Sequence, residues 1–475
     1  MESHKRTGKT LIPPAIHAMR GKLDFTSWMN DRLPEMLWAA LIFASNERSQ
    51  AFREFVRIFN FVAEHERKAE LECLTLSGFA GLDVQLRKEI INVITANPAT
   101  SKALSTLLMF DGLPARTEWE ACLSNGDANL PLLMVAVGDT LFHQSQGATD
   151  CRWVWVMGVA AGGQMSVAPD LADRVKGITD YPYVEPGASE GGSVRAIEQA
   201  LASMMLRKSE WSETFWVEAW EKSPCIQLVP PRQDQQLPLS TTRQGISEAI
   251  EGLESHWNQT HSTTGVDAKH DAVFGMAFFV LRILSEMIGI GISNGILARV
   301  GLRTIFEIRV NLKHLIDKND SELWKRWREY GVGQAKLSSL KLDDIEEPPE
   351  YLDAGLIERI ASEDLWEELR TIDIGHWASG DLRRISEESQ LKDLYDQYYP
   401  WTSTYTHGMW GAIRESSFQT CGNPLHRLHR YPERQPLNDC LYDAVTLVDE
   451  ILGHVGKEYP SFSHRLLFSS QRIVR

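Results

Sequence analysis

The stretch GILARVGLRTIFEIRVNLKHLIDK, residues 295–318, restricts the fold more than any other part of the chain. Its apolar residues recur at helical spacing throughout, so it reads as one long helix. Val300, Leu302, Ile305, Phe306, Ile308, Val310, Leu312, Leu315 and Ile316 cover most of the circumference. A helix this apolar must be packed on both flanks. It nevertheless carries Arg299, Arg303, Glu307, Asn311 and His314, spaced four, four, four and three residues apart and therefore on one face. Arg303 and Glu307 stand one turn apart and can pair directly.

The rest of the chain repeats the helical pattern. LPEMLWAALIFA and SQAFREFVRIFNFVAEH are consecutive helical segments, with Phe52, Phe55, Ile58, Phe59 and Val62 marking one face of the second. KEIINVITA, SKALSTLLMF and LPLLMVAVGDTLFHQ follow, and ISEAIEGLESHW places Ile246, Ile250, Leu253 and Trp257 on one face. Only CRWVWVMGVA alternates as a strand would. The expected fold class is all-α, an N-terminal helical domain plus a C-terminal helical bundle. Residues 1–226 form the first domain, with a long Pro/Gly/Asp/Ser-rich loop near 169–193. The Pro-Pro and Gln-rich stretch 227–244 is the linker, and 245–475 form the second domain. A length of 475 residues suits two or three domains.

Composition narrows the function classes. Asp and Glu number 64 against 49 Lys and Arg, and a net charge of −15 argues against broad binding to nucleic acid or to a membrane surface. AVFGMAFFVLRILSEMIGIGIS comes nearest to a membrane span, but Arg282 and Glu286 interrupt it, so a buried core helix is expected and no membrane partner. The N-terminus has charge without an apolar core, unlike a secretory signal. The six cysteines are scattered with no CxxC pair, which suits a reducing compartment and a cytoplasmic location. His426 and His429 in NPLHRLHR stand three apart, yet no carboxylate accompanies them at fixed spacing. They read as a basic turn and surface helix, and no metal or cofactor is expected. The chain also lacks GxGxxG and GxxxxGKS.

A second polar cluster lies in YYPWTSTYTHGMWGAIRESSF. Pro400 fits a helix start, after which His407, Gly411 and Arg414 share a face. If this helix faces the first, two arginines, a glutamate and a histidine meet in one cleft suited to a phosphate-containing substrate such as RNA or a nucleotide. In that reading Arg303, Arg414 and Arg299 bind the substrate, while Glu307, His407 and His314 move protons without a metal. The competing reading makes the stripe a brace that decides which helices pack together.

LARVGLRTIFEIRVNLKHLIDKNDSELWKRWREYGVGQAKL and THGMWGAIRESSF, with NPLHRLHR, resemble an uncharacterised bacterial helical family. Its long helix bears Arg-Ser/Thr-x-x-Glu and its C-terminal part a Thr-His-Gly motif. Arg303, Thr304, Glu307 and His407 are the matching positions, over roughly the second half of the chain. The resemblance implies the helical fold and no particular activity. Arg309–His314 and Arg370–His376 also fit the Arg-x(4–6)-His spacing of HEPN ribonucleases, but about two such matches arise by chance in a chain of this composition. The non-catalytic alternative is a scaffold or sensor in a bacterial defence-type multi-protein system, with a protein partner on the N-terminal domain. A homodimer is expected as a prior on helical proteins of this size.

Overall fold

The computed structural model describes residues 5–7, 10–12, 26–123, 128–165, 177–205, 208–228, 239–343, 345–433 and 436–466. The fold is all-α, as the periodicity predicts. Among the described residues, extended structure is confined to two two-stranded ribbons: β1 (Lys5–Thr7) with β2 (Thr10–Ile12), and β3 (Phe418–Thr420) with β4 (Arg430–Pro432). The chain divides into two compact units. The first comprises 1–228 together with 420–430, and the second comprises 229–419 with 431–475. The segment Thr420–Arg430, which the sequence reading places in the C-terminal domain, thus groups with the first unit.

The first unit is built from α1 (Leu37–Ser45), α2 (Arg48–Glu64), α3 (Val84–Ile94), α4 (Leu130–Leu141), α5 (Gln146–Ala161), α6 (Glu190–Met205) and α7 (Glu210–Glu221). The α2 face marked by Phe52, Phe55, Ile58, Phe59 and Val62 is buried. CRWVWVMGVA is not a strand but lies within α5, capped by Ser145, whose side chain accepts from the Ala148 N–H. Both faces of its Trp/Val alternation are buried, from Ala148 through Val156. A helix buried all round shows no 3.6-residue polar signal, so period alone cannot separate it from a strand. Trp153 fixes α5 by an edge-on contact with Phe52 at 4.9 Å and by an indole N–H donated to the Ile178 carbonyl at 2.7 Å.

A charged triad crosses this core. Glu198 on α6 accepts from Arg32 at 2.8 and 2.9 Å and from Arg152 on α5 at 3.1 Å. Arg152 also lies over the Trp28 ring at 4.2 Å. Burial lowers Arg152 to about 10, partly offset by Glu198. Glu198 is 1% exposed, so the two guanidiniums it holds have their counter-charge inside the core and not in water.

The second unit contains α8 (Leu239–Thr260), α9 (Ala268–Ile290), α10 (Ile296–Lys318), α11 (Ser321–Leu342), α12 (Ala354–Ala361), α13 (Leu382–Glu388), α14 (Lys392–Thr406), α15 (Trp410–Ser417) and α16 (Leu441–Glu458). α10 is central and packs against α9, α13, α14 and α16. Its flanks are filled by Leu302, Ile305, Phe306, Val310, Leu312 and Leu315, all buried. Ala268–Gly289, within α9, is the described helix long and apolar enough to cross a membrane, but 56% of its apolar window is buried inside the unit. Arg282 and Glu286 pair at 3.1 Å on its exposed side, the arrangement of a core helix with one wet edge.

Both expected connections are shorter than the sequence reading makes them. Of the loop near 169–193, residues 169–176 lie outside the described residues. The remainder holds a short helical turn at Tyr181–Tyr183 and the start of α6. Of the linker 227–244, residues 229–238 lie outside the described residues, and α8 already begins at Leu239. Composition marks where a helix is discouraged; it does not place the first helical residue.

Removing the shared carboxylate should expose the cost of the buried triad. Glu198→Ala is expected to lower the unfolding free energy by about 3–5 kcal/mol, because two buried guanidiniums lose their counter-charge. Glu120→Ala, at the exposed Arg116–Glu120 pair, should cost no more than about 1 kcal/mol. Urea titrations of both variants decide the comparison.

Candidate functional site

α10 begins after Gly295 and ends at Asn319, whose left-handed backbone closes it. α14 packs along it in the opposite sense: Phe306 lies near Tyr395 and Tyr398, Arg303 near Tyr399, and Arg299 near Tyr405. The stripe therefore does face another helix, and what it meets there is a tyrosine ladder.

Arg303 and Glu307 form the expected pair, 2.9 Å apart, with side chains 15% and 29% exposed. Arg303 also sits over the Tyr399 ring at 4.9 Å and donates to its hydroxyl at 3.3 Å. Burial raises the Glu307 carboxyl above the ordinary range, although Arg303 pulls it down. Arg299 donates to the Asn438 carbonyl. His314 is buried, with Nδ1 3.3 Å from the Ser389 hydroxyl just after α13 and its ring 5.9 Å from Trp377. Burial, helped by Lys318, lowers its pKa. Being co-facial does not bring these groups together: Arg303 and His314 are eleven residues apart, about 16 Å along a helix that rises about 1.5 Å per residue.

The second cluster is arranged differently from the expected single helix starting at Pro400. Pro400 lies inside α14, which ends at Thr406 with His407 as its cap. Gly408 adopts φ +56, and the Met409 N–H returns to the Thr404 carbonyl at 2.9 Å. This is a Schellman closure, which favours glycine because a side chain is strained in the left-handed region. α15 then starts afresh at Trp410. The break separates His407 from the face shared by Gly411 and Arg414. His407 is exposed at the end of α14, while Arg414 is half-buried and donates to the Phe418 carbonyl at 3.1 Å. The fold brings Arg303, Glu307 and Tyr399 together and gives Arg299, His314 and Arg414 other hydrogen-bond partners.

Arg309, on the opposite side of α10, pairs with Glu450 on α16 at 2.8 Å. Arg370, in the other Arg-x(4–6)-His match, is buried in ion pairs with Glu329, at 2.8 Å, and Asp364. Both arginines are held by carboxylates of neighbouring elements.

The sequence reading overlooked a separate constellation in the first unit. Cys225, Cys421, His426 and His429 each offer a ligand atom, and these four atoms lie within 4.8 Å of one another. His426 is not on a surface helix. It is 6% exposed, in a short helical turn Pro424–His426 whose Leu425 is buried in the first unit's core. The expectation of no metal-ligating group rested on the absence of CxxC and of accompanying carboxylates. The usable signal was Cys421-x4-His426-x2-His429, completed by a cysteine that only folding brings near.

Residues 284–423 match DUF5677, a family of unknown function. An uncharacterised family is what the resemblance implied for this half of the chain. The DUF5677 match runs from Leu284 in α9 to Asn423, and so includes every residue of both polar clusters and Cys421. Cys225, His426 and His429 lie outside it. No curated protein and no solved structure matches the chain.

α16 carries a further histidine that reports on this core. His454 is 6% exposed, and burial lowers it to about 3, with Arg309, Lys457 and Lys313 adding to the effect and Asp317 opposing it. It is neutral when folded at neutral pH, whereas the unfolded chain takes up its proton below pH 6.5. Its contribution to stability is thus complete above pH 6.5 and is lost as pH falls toward 3. His454→Gln should reduce the loss of unfolding free energy between pH 7 and pH 5 by about 2 kcal/mol, at about 1.4 kcal/mol per pH unit. Chemical denaturation of both proteins at the two pH values measures it.

Proposed function

We propose that the chain is a non-catalytic helical scaffold or sensor, and that the polar stripe of α10 is its internal brace. One observation carries this reading: Arg299, Arg303 and His314 are each engaged by a different neighbour along the helix. Arg303 is balanced by Glu307 and stacked on Tyr399, so its charge is already answered before any phosphate arrives. Arg299 is held by a backbone carbonyl and His314 by a serine hydroxyl. Such an arrangement selects helix partners and register, the best-attested use of buried polar groups.

In this reading a protein partner docks on the first unit, as one component of a multi-protein system in a reducing cytoplasm. Support comes from a cavity of about 590 Å³ whose wall includes Trp216, Val217, Trp220 and Leu428. Val217 and Leu428 are 58% and 53% exposed there. Acid/base action on a phosphate-containing substrate is the second reading. It is favoured by the raised Glu307 carboxyl beside Arg303, since perturbed carboxyls concentrate at functional sites.

The two readings part on a double substitution. If the stripe is a brace, Arg303→Met combined with Glu307→Leu should leave stability within about 1 kcal/mol of wild type, whereas Arg303→Met alone should cost about 1–3 kcal/mol. Growth and total RNA integrity of an expressing host should be unchanged by His407→Ala or Glu307→Ala. Loss of RNA that disappears in either variant, while the variant remains folded, would replace the scaffold by the enzyme.

A further inference from the structure

We propose that Cys225, Cys421, His426 and His429 form a structural zinc site that fastens the returning segment Thr420–Arg430 into the first unit. The inference rests on residues other than the α10 stripe and is independent of the function proposed above.

Three of the six ligand-atom separations match the edges of a closed tetrahedral centre, and all six lie within 4.8 Å. His426 Nδ1 lies 3.4 Å from Cys421 Sγ and 3.6 Å from Cys225 Sγ, and His429 Nδ1 lies 3.8 Å from Cys225 Sγ. A tetrahedron with Zn–S of about 2.3 Å and Zn–N of about 2.0–2.1 Å has S···N edges near 3.6 Å. The three distances bracket that edge. Two thiols and two imidazoles are also the donor set that selects zinc, since soft sulfur disfavours magnesium and calcium, and four protein ligands leave no open position for substrate.

The groups behind the ligands are placed as a metal requires. With Nδ1 of His426 turned to the sulfurs, Nε2 lies 3.2 Å from the Ser223 carbonyl and 3.1 Å from its hydroxyl. A proton on Nε2 donated there fixes the tautomer that leaves Nδ1 free to ligate. Cys421 Sγ accepts from the Ile226 N–H at 3.3 Å and the Asn423 N–H at 3.5 Å, which holds the sulfur in place. Asn423 is fully buried and ties down the segment after α7, donating to the Pro224 carbonyl at 2.8 Å and the Ser223 hydroxyl at 2.9 Å. The Gly422 N–H reaches the Ile226 carbonyl at 2.8 Å, and the Cys421 N–H reaches the His429 carbonyl at 3.0 Å. The indole of Trp220 covers both imidazoles, with ring centroids 4.4 and 4.5 Å away.

On binding, Zn²⁺ displaces one proton from each thiol to solvent. The two thiolates then cancel its charge, and the neutral imidazoles complete the site. Cys225 and Cys421 are 196 positions apart (421 − 225), so the ion closes a long chain loop, where a cross-link restricts the unfolded chain most.

The full-length protein, purified under reducing conditions, is expected to carry one zinc per chain by elemental mass spectrometry. After replacement by Co²⁺ it should show thiolate-to-cobalt charge transfer and tetrahedral d–d bands. Cys225→Ser should abolish both, while Cys73→Ser, which removes a thiol elsewhere, should change neither. If Cys225→Ser does not fold, Cys225→His keeps four ligands, and its cobalt derivative should lose about half the charge-transfer intensity with one of two thiolates removed. Unchanged intensity in that variant would overturn the assignment. So would a reduced, folded wild type that takes up neither Zn²⁺ nor Co²⁺, or a metal-free Cys225–Cys421 disulfide.

Discussion

A helix packed on nearly every side has almost no water to offer its polar side chains, and α10 is such a helix. Burial of Leu302, Ile305, Phe306, Val310, Leu312 and Leu315 commits it to neighbours on both flanks. Each polar group on the remaining face must then find a protein partner or remain uncompensated. The second unit is arranged around this demand. α14 presents Tyr399 to Arg303, the residue after α13 presents its hydroxyl to His314, and α16 presents Glu450 to Arg309. Satisfaction is incomplete: Arg303 Nε, Arg309 Nη1 and Asn311 Oδ1 are buried without a hydrogen bond among the described residues. At those three atoms close packing has prevailed over hydrogen bonding.

Tight packing also explains why a shared helix face is a poor guide to a shared site. Periodicity reports angle around the axis and says nothing of height along it. Arg303 and Glu307 satisfy both conditions because they are one turn apart, and they do pair. Arg299 and His314 satisfy only the first, and end beside Asn438 and Ser389. His407 fails for a different reason. Gly408 in THGMW is the residue that can close α14 in the left-handed conformation, so the helix carrying His407 ends there.

Most of the fold was legible because amphipathic helices declare themselves in one turn of sequence. The aromatic face of α2 and the apolar flanks of α10 are buried as their spacing requires. α5 was not legible, because a helix buried all round erases its own period, and CRWVWVMGVA alternates by composition alone. The partners of the stripe were also beyond reach: nothing in the local pattern of α10 reveals that tyrosines nearly a hundred residues away will line it. The identity of the braced residues could be read from α10 itself; the identity of what they brace against could not.

The Cys/His cluster shows the same limit at its extreme. Three of its members lie within nine residues, 421 to 429, and are visible as a half-site, while the fourth is separated from them by almost the whole second unit. Local spacing rules recognise metal sites whose ligands come from one hairpin or one helix, and they are silent when the chain leaves and returns. Here the return is independently anchored: Leu425 is buried in the first unit's core, and Pro424 packs against Gly138 of α4, where an added side chain would meet its ring at 3.6 Å. Hydrophobic contact thus brings the segment back, but contact of that kind tolerates small slips in register. The cluster adds what burial lacks, since a tetrahedral centre accepts only one position for each of four ligand atoms. The order of dependence follows: Leu425 and Pro424 decide that 420–430 joins the first unit, and the cysteines and histidines decide where in it each atom sits.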